Sequence, residues 1–157
     1  MMPNPLILIL ADDDKDDCLF FTDALGELPV TANLTTVHNG EQLMQLLADE
    51  TVAPPPPHVL FLDLNMPRKN GFECLAEIKS DERLRQLPVI IFSTSFEQDV
   101  VNLLYKKGAH YYIRKPAEFA LLKKVIYQAL LLATENTSLQ PAQEHFVLKG
   151  DSEAVQI

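Results

Sequence analysis

The sequence predicts an α/β fold, a doubly wound five-stranded parallel sheet with helices on both faces. Three observations predict it. Apolar runs of strand length alternate with segments of helical apolar spacing, five of each along the chain. Two of the runs, LILILA (6–11) and HVLFLD (58–63), are almost continuously apolar, as strands covered on both sides must be. The chain has 157 residues, 47% of them hydrophobic and 22% charged. That suits one domain with a packed core, and it excludes intrinsic disorder and two full-sized domains.

Each element has a local reason. Residues 6–11 form the first strand. A helix over 14–28 follows, because Cys18, Phe21, Leu25 and Leu28 share one stripe. ANLTTV (32–37) is a modest second strand, and Asn39-Gly40 leads into a helix around 41–49. The prolines of 54–57 exclude helix and central strand, leaving a stiff extended loop. The third strand, 58–63, precedes a helix over 71–80. PVIIFS (88–93) is the fourth strand and 97–107 the next helix, then HYYIRK (110–115) and a long helix over 118–133.

Residues 1–133 thus read as the domain and 134–157 as a polar tail, with no output domain. Disorder is the default for such a terminus, with packing back on a partner the alternative, and Phe146-Val147-Leu148 forms one apolar cluster in it. The end of the last helix, Ala129–Ala133, is apolar all round. One face must meet the sheet, so the other is either a homodimer or partner surface or is buried under the tail.

Charge and cysteine content narrow the function. The formal net charge is −9, which argues against DNA or RNA as a partner. The imbalance is local, since residues 1–63 hold eleven acids and one base, Lys15, while residues 64–157 hold eleven acids and twelve bases. Cys18 and Cys74 are too few for a disulfide framework or a cysteine zinc site and read as small buried side chains. No segment has the length of a membrane span, and the apolar start lacks the basic flank of a signal peptide, so a cytoplasmic protein is expected.

In open parallel sheets functional groups gather beyond the carboxyl ends of the strands. Those ends read Asp12-Asp13, Asp63, Ser93-Thr94 and Lys115-Pro116. If the strands are neighbours, three carboxylates, a hydroxyl and an ammonium converge. Any one of these acids could be a helix cap, but five coincidences at strand ends are hard to assign to capping. Clustered carboxylates repel one another, and a hard divalent cation such as Mg²⁺ relieves the repulsion while keeping positions open for phosphate oxygens. Cation, carboxylate nucleophile and lysine together suit phosphoryl transfer.

These residues carry a family resemblance. LILILADDD (6–14), LFLDLNMPRKNGFE (60–73), PVIIFSTS (88–95) and GAHYYIRKP (108–116) resemble the receiver domains of bacterial two-component response regulators, over roughly residues 6–133. The NMPRKNG wording and the proline-rich loop look most like stand-alone regulators that partner phytochrome-type histidine kinases. The resemblance implies a flavodoxin-like sheet of order 2-1-3-4-5. It implies that Asp63 accepts the phosphoryl group from a kinase phosphohistidine, and that Asp12, Asp13, Asp63 and the backbone carbonyl of Asn65 hold Mg²⁺, with Mn²⁺ a substitute. Lys115 would reach the phosphoryl oxygens and otherwise pair with Asp63, with a cis bond to Pro116. Ser93 and Thr94 would meet the incoming group, and the ring of Tyr112 would turn inward in response. Pro67 and Gly71 would shape the loop after Asp63, Gly71 because a side chain would crowd the backbone. Asp14, Asp16 and Asp17 read instead as solvent-exposed first-turn acids favoured by the helix dipole.

Other phosphate-handling classes fit less well. An aspartyl phosphatase of the haloacid-dehalogenase class wants an acid two positions after its nucleophile, where this chain has Asn65. Nucleotide-binding modules want a GxGxxG or GxxxxGK[ST] loop, which does not occur. A degenerate receiver acting as a fixed scaffold would not keep the whole acid set and Lys115.

Overall fold

The strands are β1 (Leu6–Ala11), β2 (Ala32–Val37), β3 (Val59–Leu62), β4 (Val89–Ser93), β5 (Tyr111–Arg114) and β6 (Val147–Leu148). They form one parallel sheet of order β2-β1-β3-β4-β5-β6 in a computed structural model that describes residues 2–52, 56–135 and 140–150. Five helices connect them: α1 (Lys15–Gly26), α2 (Gly40–Val52), α3 (Gly71–Ser80), α4 (Gln98–Lys106) and α5 (Phe119–Glu135). Among the described residues no helix is long and apolar enough to cross a membrane. Pro54 and Pro55 of the expected loop lie outside the described residues.

The central strands are buried on both faces, and their side chains alternate between two cores. Phe61 faces α1 and α5, where it meets Phe21 edge-on with ring centroids 4.9 Å apart, and Phe21 meets Phe92 at 5.4 Å. Such pairs contribute roughly 0.5–1.5 kcal/mol each beyond the area they bury. Leu60 and Leu62 face the other way, toward Leu43, Leu75, Ile78 and Leu104 of α2, α3 and α4.

Two polar caps fix the helices that leave the site. Asp14 caps α1, accepting from the N–H groups of Asp16 and Asp17 at 2.9 and 3.1 Å. Asn70 caps α3 in a reciprocal capping box with Glu73.

The sheet differs from expectation at its far edge, where it has six strands rather than five. Residues 140–150, expected to be unstructured tail, run back along the domain and add β6 to β5. Burial supplies the reason. Phe146 is 1% exposed and joins the core of Leu60 and Leu62, Leu148 is 6% exposed and joins the core of Phe61, and an open strand edge is paired. Residues 136–139 and 151–157 of that tail lie outside the described residues.

Candidate functional site

The chain crosses from β1 to β2 on one side and then to β3 on the other, which opens a crevice beyond the carboxyl ends of β1 and β3. Asp12 follows β1 directly and is fully buried. Its N–H donates to the Val37 carbonyl at 3.0 Å, and its Oδ1 accepts from the Asp14 N–H at 3.0 Å. His38 Nδ1 lies 3.0 Å from the Asp12 carbonyl and steadies the same turn. Asp13 is exposed at the mouth.

Asp63 follows β3, 6% exposed, with its N–H donating to the Ala11 carbonyl at 2.9 Å. Its Oδ1 accepts from the Leu64 N–H at 2.8 Å, which leaves Oδ2 turned toward the crevice. Asp12, Asp13 and Asp63 each bring a carboxylate oxygen within 4.8 Å of the others.

Lys115 crosses from the end of β5, its N–H bonded to the Ser93 carbonyl at 2.8 Å. Its Nζ stands 2.7 Å from Asp12 Oδ2, 2.8 Å from Asp17 Oδ2 and 3.4 Å from Asp63 Oδ2. The expected Lys115–Asp63 pair is present, but it is the longest of the three. The expectation for Asp17 is corrected by the same geometry, since its side chain is only 35% exposed and binds Lys115 rather than open solvent. Asp17 lies in the first turn of the helix that leaves the site. An acid there already has a local reason in the helix dipole, so the residue type alone does not single it out.

The Lys115–Pro116 bond is not cis, against expectation, because among the described residues the only cis bond is Asn4–Pro5. For an X–Pro bond the trans form is favoured by roughly 0.5–1 kcal/mol, and trans geometry here still delivers Lys115 to the acids.

Ser93 is buried at the end of β4, with its Oγ accepting from the Ser95 N–H at 3.2 Å, while Thr94 is exposed. Tyr112 lies already inward, fully buried, its hydroxyl donating to the Ser95 carbonyl. Asn65 and Pro67 are exposed in the loop after Asp63. Gly71 closes that loop by donating to the Leu64 carbonyl at 2.9 Å. A Cβ on Gly71 would stand 2.3 Å from the Asp63 carbonyl oxygen, so the crowding expected there is real. Gly40 shares the constraint, since its Cβ would stand 2.0 Å from the Lys69 carbonyl oxygen.

The electrostatics are those of a site short of positive charge. Burial pushes the Asp63 carboxyl up to about 6, with Lys115 pulling it back and Asp12 pushing it further. For Lys115, burial lowers the pKa, but the close carboxylates of Asp12 and Asp17 and the charge of Asp63 reverse that, and the net shift is upward. Asp12 Oδ2 is buried without an aligned hydrogen bond, and the Lys115 ammonium satisfies it by charge at contact distance only. Hard oxygen donors, an under-satisfied buried carboxylate and one ammonium among four acids fit a divalent cation of the Mg²⁺ or Mn²⁺ kind.

A doubly wound parallel sheet with an acidic pocket at its switch point, answered by a single lysine, is the architecture of a two-component signalling receiver. The chain belongs to the response regulator receiver domain family, which its residues 8–127 match. It is similar to the response regulator Rcp1 of Synechocystis, at 31% identity over 124 residues, 78% of this chain and 84% of that one. The Mn²⁺-bound crystal structure of Rcp1 superposes with a TM-score of 0.73 at 30% identity, over 88% of this chain and all of the other. The phosphorylated cyanobacterial phytochrome response regulator RcpA gives 0.73 at 32% identity, over 87% and 99% of the two chains. A regulator in red light signalling of R. palustris, RPA3017, gives 0.73 at 31%, again over 87% and 99%. The chain is a signalling receiver homologous to single-domain response regulators.

Proposed function

We propose that this receiver takes a phosphoryl group from the phosphohistidine of a sensor histidine kinase, phytochrome-like in type, onto Asp63. The P–N bond to the kinase histidine breaks, its electron pair stays with the imidazole, and a P–O bond forms to the Asp63 carboxylate. The observation that carries the reading is the buried Asp63 carboxylate, 3.4 Å from Lys115 and clustered with Asp12 and Asp13. Asp12, Asp13, Asp63 and the Asn65 carbonyl would hold Mg²⁺, with Mn²⁺ a substitute. A bound cation supplies neutralisation of charge on the phosphoryl oxygens.

The chain's own residues do the rest. Lys115 turns from Asp17 to the arriving oxygens, a short swing from 2.8 and 3.4 Å contacts on one side chain. Ser93 donates its hydroxyl to the phosphoryl group while its Oγ keeps accepting from the Ser95 N–H, and Thr94 offers a backbone amide. Leu19, 63% exposed on α1, the helix that leaves the site, is an apolar anchor for the kinase surface that must cover Asp63 during transfer. The half-buried Leu131 and Leu132 at the end of α5 support a homodimer contact there. A kinase-coupled regulator of this kind works in the cytoplasm, as a switch or relay.

Labelling tests the reading. Acetyl phosphate with Mg²⁺ should label the protein to one acid-stable, hydroxylamine-labile phosphoryl group, and Asp63→Asn should abolish it. Equal labelling of the variant would place the acceptor elsewhere.

A further inference from the structure

Residues 140–150 are fastened to the domain at several points. The Gln140 amide donates to the carbonyls of Tyr105 and Ala109 at 2.6 and 2.7 Å. The Tyr105 hydroxyl donates to the Pro141 carbonyl at 2.6 Å, and the Gly150 N–H to Gln128 Oε1 at 3.0 Å. Between these points Phe146 is buried, its ring centroid 5.2 Å from Tyr105 and 6.4 Å from Tyr112. The backbone N–H of Tyr112 donates to the Phe146 carbonyl at 3.0 Å. Tyr112 therefore touches this segment through both its ring and its main chain.

The other end of Tyr112 touches the site. Its hydroxyl holds the Ser95 carbonyl, and the Ser95 N–H holds Ser93 Oγ at 3.2 Å. The path Phe146, Tyr112, Ser95, Ser93 is continuous, each link a hydrogen bond or ring contact of buried or half-buried groups.

We propose that residues 140–150 form an intramolecular latch that holds Tyr112 inward and couples its own docking to phosphoryl occupancy of Asp63. The proposal rests on the phosphoacceptor reading. The latch contacts Tyr112 in the inward position, tied to the segment that carries Ser93. A phosphoryl group that draws in the Ser93 hydroxyl selects a position of the same segment. Two events that favour one arrangement of a shared element stabilise each other reciprocally. A docked latch thus presets the switch, and an occupied site tightens the latch.

Hydrogen exchange on the full chain tests this, with beryllofluoride and Mg²⁺ as the phosphoryl mimic and ¹⁹F NMR reporting its occupancy. With the mimic bound, exchange of the Tyr112 amide and of the 146–148 amides should slow by about 5- to 150-fold, the range of ordinary coupling between two sites. Phe146→Ala should abolish the slowing. Tyr105→Phe, which keeps the ring and removes only the bond to Pro141, should reduce it in a chain that still folds. A bound ¹⁹F signal with unchanged exchange overturns the latch and leaves the acceptor reading standing. Absence of a bound signal overturns the acceptor reading, and the coupling with it.

Discussion

Lys115 and Asp17 are bound at 2.8 Å, although 98 residues separate them in the chain. The contact joins the end of β5 to the first turn of α1 and holds the ammonium in the acidic pocket from the solvent side. It also means that Asp63 shares its lysine with two other carboxylates.

Asp17→Asn removes a competitor for Lys115. Because Asp17 is about one-third exposed, the loss of stability should be under about 1 kcal/mol. Lys115 should then rest on Asp63 more often and depress its proton affinity. The measurement is the Asp63 carboxyl carbon shift across pH, whose midpoint should move down in the variant and would stay fixed if Asp17 only decorated the surface.

Asp63 itself should destabilise the metal-free fold. Its carboxyl is raised from the ordinary 3.8 to about 6, so the folded chain holds a proton between about pH 4 and 6 that the unfolded chain has released. Stability should therefore fall as pH rises through that window and stay low above it. Asp63→Asn should flatten the dependence and gain on the order of 1–3 kcal/mol at pH 7. Urea midpoints at pH 4.5 and 7.5, without metal, would show both.

Divalent cation should restore what the clustered carboxylates cost. Mg²⁺ or Mn²⁺ at a hundred times its dissociation constant should add about 2.7 kcal/mol to the unfolding free energy, reversed by a chelator. The gain should shrink below pH 6, where Asp63 takes up its proton, and should be lost in Asp12→Asn. Thermal melts with and without cation at pH 5 and 7.5 would decide it.

Gly71→Ala should be poorly tolerated. Its Cβ would press on backbone, the Asp63 carbonyl oxygen at 2.3 Å and Leu64 Cα at 2.8 Å, and backbone cannot swing aside as a side chain can. A cost of about 1–3 kcal/mol is expected, typical of overpacking, together with slower phosphoryl labelling because the displaced residue is Asp63. Unchanged melting and labelling would show that the loop yields freely.

Much of this arrangement is legible from residues alone, for physical reasons that also mark where legibility stops. LILILA and VLFL announce themselves because buried parallel strands carry apolar residues on both faces, and β1 and β2 fall on the residues expected. Asp12, Asp13, Asp63 and Lys115 stand at strand ends, where topology alone brings them together. Val147-Leu148 is too short to show a period, and only the exposed edge of β5 makes it a strand. Asp17 has a sufficient local reason to be acidic in the first turn of a helix, which masked its long-range one. The trans Lys115–Pro116 bond carries no mark in the residue types at all.

Asp63 is mounted on a strand whose four residues are each fully enclosed, and its own amide is tied back to β1. The acceptor carboxylate therefore has little freedom left to surrender when a donor arrives, and the entropy of its positioning was spent when the sheet folded. Transfer onto it should show a temperature dependence governed by bond exchange and by donor docking, with no ordering of the acceptor to add.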